Sequence, residues 1–173
     1  MYCVKEKSEA FQRFKDFKAE VENFTRLKIN TLRTDRGGEY FSKEFEKYCR
    51  DSGIRHEMIV RHTPQQNGVC ERKNRTIMKM ARCLLKKKRL SRRFWAEAVS
   101  CAVYLINRSP TRSLENCTPH EAWYGTKPSV RHLRVFESVP YSHIPDAMRS
   151  KLDDKSEKCI FIGYSERSKA YKL

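Results

Sequence analysis

In the first part of the chain, apolar residues recur at intervals of three and four in some segments and at intervals of two in shorter segments that lie next to them. The first spacing, from Ser8 to Phe24, predicts an amphipathic helix. The segment KINTLRT, which stops at Asp35, and the alternating segment IRHEMIV both predict strands. A second helix is predicted between them, from about Ser42 to Asp51. The segment YCV at the start predicts the end of a further strand. Strands and helices therefore alternate, which is typical of an α/β fold.

The middle of the chain predicts a loop followed by three helices. The polar segment Arg61–Gly68 predicts the loop, and a long helix is expected from about Val69 to Lys88. Ser91 is the expected N-cap of the next helix. Thr118 is the expected N-cap of the third helix, which is expected to stop at Gly125.

Beyond Pro128 the sequence changes to short strand-like pieces, LRVF, VPYSHI, KCIFIGYS and AYKL. We therefore expect an α/β domain over residues 1–127 and a small, incomplete β domain over residues 128–173. Trp95 and Trp123 are expected in the core. No stretch predicts a membrane span, because the most apolar one is short and contains Glu97.

The charge of the chain narrows the function classes. Thirty-seven basic and 21 acidic residues give a net charge of +16, which favours a polyanionic partner and nucleic acid first. A basic surface without a partner and a basic scaffold protein are the alternatives. The seven cysteines are odd in number and form no C-x-x-C pair, so neither a disulfide framework nor a zinc site is expected. This cysteine pattern and the absence of a secretory signal favour a reducing compartment, the nucleus or cytoplasm, and not secretion.

Two acids, Asp35 and Glu71, stand in settings that suggest metal chemistry. Asp35 follows a predicted strand, and the carboxyl ends of strands are where open α/β sheets place ligands. Glu71 stands at the start of the long predicted helix. The simple alternative is that Glu71 only stabilises a helix N-terminus, by roughly 0.3–1 kcal/mol. Two neighbouring carboxylates could instead hold Mg²⁺ or Mn²⁺ for phosphodiester chemistry.

The long predicted helix also carries a basic stripe. On an ideal helix Arg75, Lys79, Arg82 and Lys86 share one face, apart from the apolar face that must meet the core. We name these four residues the basic ridge and expect them to contact nucleic-acid phosphates. The other residues expected to bind nucleic acid are those of the preceding mobile loop and the first helical turn: Gln65, Gln66, Asn67, Arg72 and Lys73.

These motifs carry a resemblance to a known family. The segment TLRTDRGGEY, the segment TPQQNGVCERKNRT and the 35 residues, numbers 36–70, between Asp35 and Glu71 resemble the integrase core of copia-type retrotransposons and of retroviral integrases. The segments FWAEAVSCAVYLINRSPT and KLDDKSEKCIFIGYSERSKAYKL are similar to the copia-type continuation and to the small β domain that follows it. The resemblance implies a truncated ribonuclease-H-like core and integration of DNA by metal-dependent phosphodiester transfer. It makes Asp35 and Glu71 the second and third metal-binding acids.

The departures from the family pattern set further expectations. The first aspartate of the family has no counterpart among these residues, so the chain is expected to be a core fragment that binds Mg²⁺ or Mn²⁺ weakly and is inactive as it stands. Non-catalytic binding of DNA or RNA is the alternative function. DNA, with RNA as a second choice, and further copies of the chain are the expected partners. Glu137 and Ser138 replace the usual Gly-Cys, which leaves the local turn open.

Overall fold

The computed structural model describes residues 2–35, 37–59, 64–86, 90–165 and 168–173, with side chains described from residue 68 onward in the third range. The chain forms two compact units, one up to Lys73 and one from Asn74 to Leu173. The helices are α1 (Ala10–Thr25), α2 (Lys43–Asp51), α3 (Pro64–Lys86), α4 (Trp95–Asn107) and α5 (Pro119–Tyr124). The strands are β1 (Thr31–Thr34), β2 (Arg55–Met58), β3 (Tyr141–His143), β4 (Ser156–Lys158), β5 (Gly163–Tyr164) and β6 (Tyr171–Lys172).

The first unit is built around a parallel pair of strands. β1 and β2 run parallel, with Thr34 opposite Met58, and α2 connects them. Ser42 caps α2 by accepting a hydrogen bond from the backbone N–H of Phe45 at 3.0 Å, as its position before the helix predicts. Phe45 is fully buried, and Phe11 and Phe14 of α1 pack against its ring at centroid distances of 5.3 and 5.5 Å. The two helices and two strands predicted from Ser8 onward in this half are therefore confirmed, whereas residues 2–4, the predicted YCV strand, form no strand.

Part of the apolar face predicted for α1 is exposed. Phe11 and Phe14 meet the core, but Phe17 and Phe24 are 46% and 51% exposed. The apolar face of this amphipathic helix therefore meets the core over only part of its length. Within the described residues, the core that α1 meets is small and lies under the helix's first turns.

The second unit has a core shared by helices and strands. Ala81 of α3 and Ala98 and Cys101 of α4 are buried together with Phe161 and Tyr164. Burial raises the pKa of the Cys101 thiol to about 11, so this side chain is a neutral, space-filling group. β5 thus packs directly on α4. The domain boundary between residues 127 and 128 stays a prediction.

Two predictions in this unit are wrong. LRVF forms no strand, and Val135 within it is 63% exposed. Trp95 and Trp123 are 50% and 47% exposed and do not belong to the core. Trp95 is the first residue of α4, and an end position leaves a large ring partly outside the packed layer.

The predicted N-cap and stop of α5 are present, whereas Ser91 caps a short 3-10 helix, Arg92–Phe94, that precedes α4. Thr118 accepts a hydrogen bond from the N–H of Glu121 at 3.2 Å, and Gly125 ends α5 in the left-handed conformation with φ +72°. Glu137 also has a positive φ, +65°, and its N–H donates to the carbonyl of Phe161 at 2.8 Å. A turn therefore forms here without glycine.

A substitution at the end of α1 should stabilise the protein. Arg26 is exposed and left-handed, with φ +59°, and its N–H donates to the Glu22 carbonyl at 2.9 Å. A side chain costs roughly 1–2 kcal/mol in this conformation, and glycine's greater freedom in the unfolded chain offsets part of the gain. We expect Arg26→Gly to raise the free energy of unfolding by about 1 kcal/mol in urea titrations. Arg26→Ala, which keeps the strain and loses the guanidinium, should give no gain; equal effects of the two variants would contradict the conformational argument.

Candidate functional site

Asp35 lies immediately after β1 and is exposed to solvent. Its Oδ1 accepts a hydrogen bond from the N–H of Gly37 at 3.1 Å, which orients the carboxylate in the turn. The strand end beneath it is anchored, because Thr34 is buried and its hydroxyl pairs with Nε2 of His56 at 2.8 Å. His56 therefore has a structural contact at this strand end.

The turn after Asp35 brings further acidic charge close. Gly38–Tyr40 forms a short 3-10 helix. Burial, and then the negative charges of Glu39 and Asp35, raise the pKa of the Tyr40 hydroxyl. The carboxylate of Asp35 is therefore near enough to Tyr40 to act on it electrostatically, at the edge where the strand ends.

Glu71 occupies a different place in its helix from the predicted one. α3 begins at Pro64, so the loop predicted over Arg61–Gly68 is wrong for its last five residues, and Glu71 lies two turns into the helix. Proline is well suited to a first helical turn, and the glutamines that follow it are good helix formers. A helix dipole acts mainly within the first turn, so it accounts poorly for an acid at this position.

The two acids both belong to the first unit, and both are exposed. That their carboxylates face one cleft stays a prediction. In the part of the chain that the structure describes, no group of three or more His, Cys, Asp or Glu side chains is placed to hold a metal ion. Two carboxylates alone would leave most ligand positions of a Mg²⁺ ion to water or substrate phosphates.

The two faces predicted for α3 are confirmed. Ala81 is buried, and Ile77, Leu84 and Leu85 pack against the core of the second unit. All four residues of the basic ridge are exposed, as are Arg72 and Lys73. Gln65, Gln66 and Asn67 have a helical backbone, and their side chains lie outside the described residues. The ridge is therefore available to a polyanion, while its binding to nucleic acid stays a prediction.

Sequence reasoning overlooked one feature of the first unit, a pocket of about 410 Å³ whose lining includes Lys15, Lys18, Arg26 and Lys28. The four basic residues lie within fourteen positions, which could have drawn attention to them. The periodicity of α1 was instead used only to find its apolar face. Among the described residues, no helix is long and apolar enough to cross a membrane.

The fold places the chain in a class. It is similar to a chain of the simian T-cell lymphotropic virus intasome in complex with PP2A regulatory subunit B56 gamma, with a TM-score of 0.53 and 21% identity over 91% of this chain and 54% of that one. It is also similar to the HTLV-2 integrase catalytic core domain in complex with magnesium, in a trimeric form, with a TM-score of 0.50 and 20% identity over 70% of this chain and 74% of that one. The mixed arrangement of helices and small sheets is therefore that of retroviral integrase cores.

Sequence relatives define the family. The chain is 49% identical over its full length to the retrovirus-related Pol polyprotein from transposon TNT 1-94 of Nicotiana tabacum, and 39% identical over 99% of its length to that from transposon RE2 of Arabidopsis thaliana. An uncharacterized mitochondrial protein of Arabidopsis thaliana, AtMg00710, is 33% identical over 49% of this chain and 68% of its own length. Residues 138–173 match the retroviral polymerase SH3-like domain. The chain is homologous to a region of the retrovirus-related Pol polyproteins from transposons, as its motifs predicted, and spans 13% and 12% of the two polyproteins.

Proposed function

We propose that the chain is the integrase-core region of a transposon Pol polyprotein, and that in the parent protein Asp35 and Glu71 contribute to a divalent-metal site for phosphodiester transfer on DNA. One observation carries this proposal. In a chain with an integrase-core fold, an exposed Asp at the carboxyl end of β1 and an exposed Glu on α3 have 35 residues, numbers 36–70, between them. The finer fold we propose is ribonuclease-H-like, with β1 and β2 as part of its sheet.

The residues fit the roles that this proposal gives them. Bound Mg²⁺ or Mn²⁺ would activate the attacking oxygen and stabilise the leaving one. The carboxylates of Asp35 and Glu71 would hold the ion, and the Gly37 N–H already fixes the orientation of the first. Because the described residues contain no group of three side chains placed to hold a metal ion, we expect weak metal binding by the chain alone. Arg72, Lys73 and the basic ridge would hold the DNA backbone, together with Gln65, Gln66 and Asn67.

The partners follow from the same surfaces. We propose DNA as the nucleic acid because it is the substrate of the phosphodiester transfer proposed above; the phosphate contacts along the helix do not themselves distinguish DNA from RNA. We also propose that the chain associates with further copies of itself, because β1 and β2 form a two-stranded sheet and strand edges favour pairing. The nucleus or cytoplasm is the compartment in which such a protein would act.

Non-catalytic DNA binding is the second candidate function. The observation that favours it is that the basic ridge is exposed on the face of α3 opposite the core, so that it can contact phosphates whether or not a metal is held.

DNA binding through the basic ridge predicts a defined salt dependence. Each phosphate contact contributes roughly −0.9 to the slope of log K against log salt concentration. Replacing Lys79 and Arg82 with Gln should therefore flatten the slope by about two, as measured by fluorescence anisotropy with a labelled duplex. Arg112→Gln combined with Lys127→Gln, two exposed sites in the same unit, removes the same charge and is expected to change the slope less. An unchanged slope in the ridge variant would assign the DNA contact to another surface.

A further inference from the structure

The strongest feature outside the proposed metal site is the pocket at the carboxyl end of α1. It lies between the last turns of this helix, the segment 26–28 and Tyr48 of α2, and has a volume of about 410 Å³. That is more than ten times the roughly 30 Å³ that one water molecule occupies in the liquid, so a hydrated phosphate group fits inside. Four basic side chains and one acidic one line it.

The acidic residue, Glu22, organises the pocket. Its carboxylate accepts hydrogen bonds from the Ile29 N–H at 3.0 Å and from the ammonium groups of Lys18 and Lys28, both at 3.1 Å. The Ile29 N–H, then the two lysines, lower the pKa of Glu22 to about 2, so it is ionised at neutral pH. Its charge is thus compensated within the pocket, and it holds Lys28 in place.

Two of the basic side chains in the pocket, those of Lys15 and Arg26, do not pair with Glu22. Among the described residues, neither Lys15 nor Arg26 has a carboxylate within 4.0 Å. The ammonium of Lys15 lies 4.3 Å from the centroid of the Phe11 ring, which restrains the side chain. Tyr48 is also fixed, because its ring meets that of Phe11 edge-on at 5.4 Å. The pocket therefore presents a net positive charge on partly immobilised groups.

A simple alternative explains only part of this arrangement. Cations at the carboxyl end of a helix are stabilised by the helix dipole, which accounts for Arg26 and Lys28. The effect is confined to the last turn, so it does not account for Lys15, almost three turns earlier. Basic side chains from three turns of α1 and from the segment after it line one concave surface. Binding of an anion explains this arrangement better.

We propose that this pocket binds phosphate groups of a DNA backbone and gives the first unit a second phosphate-binding surface, formed by residues outside α3. Lys15 and Arg26 would contact the phosphate oxygens directly, and Asn23 and Tyr48 supply neutral donors at the rim. The choice of DNA rests on the proposed function, whereas the affinity for phosphate rests on the pocket alone.

The test compares the complete chain with the double variant Lys15→Gln/Arg26→Gln in DNA titrations at several salt concentrations. Loss of two contacts should flatten the salt slope by about two, since each contributes roughly −0.9. The matched control is Lys43→Gln/Lys47→Gln, which removes the same charge from exposed positions of α2 outside the pocket. Equal slopes for the pocket variant and the control would overturn the proposal. Circular dichroism would confirm that both variants remain folded.

A second measurement separates this proposal from the proposed function. Inorganic phosphate is titrated into the ¹⁵N-labelled chain, and the amide signals of Asn23, Arg26 and Ile29 are followed. Saturable shifts that vanish in Lys15→Gln/Arg26→Gln support the pocket even if the chain binds no DNA, in which case the source is a free phosphate compound. Absence of such shifts overturns the pocket proposal, and a normal effect of the ridge variant would then leave the proposed function intact.

Discussion

Loss of either Asp35 or Glu71 should abolish metal-dependent joining of DNA. The protein for this test is a longer Pol protein in which this chain is preceded by the residues that precede the matching region in its relatives. Asp35→Asn and Glu71→Gln keep the size of each side chain and remove the charge that a divalent ion needs. Losing a group that merely supports a metal ligand lowers metal affinity or activity roughly 10–100-fold. Losing the ligand itself should therefore lower the joining activity by more than roughly 100-fold. The measurement is a strand-joining assay with labelled duplex DNA in Mg²⁺ and in Mn²⁺.

The same assay on the 173-residue chain alone should show no joining, since two carboxylates do not fix the ions that two-metal chemistry requires. Glu57→Gln is a suitable control in the longer protein, because this half-buried acid on β2 pairs with Arg33 at 3.0 Å and has no proposed part in the site. Joining by the short chain that Glu71→Gln abolishes would show that another group completes the site. Unchanged joining in both acid variants of the longer protein would refute the assignment of Asp35 and Glu71.

The sequence predicted helix ends and buried faces correctly where they depend on residues close together in the chain. Ser42, Thr118 and Gly125 mark helix ends by chemistry that acts within a few residues, and all three are found at those ends. The apolar face of α3 was also predictable, because Ile77, Ala81 and Leu84 recur at the helical spacing and meet one core.

Predictions failed where the answer depended on distant residues. Phe17 and Phe24 follow the same periodicity as Phe11 and Phe14, yet a spacing cannot show how far the opposing core extends. Pro64 falls within the predicted loop, although proline serves equally well in a first helical turn.

For the candidate site, the sequence supplied the residue types and their separation but not their mutual placement. Asp35 could be assigned to a strand end because β-branched residues precede it directly. The position of Glu71 depends on where α3 begins, and that shifted from Val69 to Pro64. The pocket near Arg26 was missed because it combines α1, a following segment and α2, which only the fold brings together.

The largest effect on stability is expected from Phe45→Ala. Phe45 is fully buried in the small core of the first unit, where Phe11, Phe14, Tyr40 and His56 surround its ring. Removing a buried phenyl ring typically costs 3–5 kcal/mol, and a whole domain is often stable by only about 5–15 kcal/mol. Phe41→Ala is the matched control, since Phe41 is 44% exposed and should cost far less.

The position of the two tryptophans allows the effect to be located. Both, Trp95 and Trp123, belong to the second unit, so their fluorescence reports on that unit, while far-ultraviolet circular dichroism reports on both. In urea titrations Phe45→Ala should lower the urea concentration at which the first unit unfolds, seen as an early transition in circular dichroism. The transition in tryptophan fluorescence, which reports on the second unit, should shift less. Because the ring also packs on His56, which holds Thr34 directly before Asp35, the variant should lose metal binding as the first unit unfolds. A loss of under 1 kcal/mol, equal to that of Phe41→Ala, would show that this core does not hold the strand end in place.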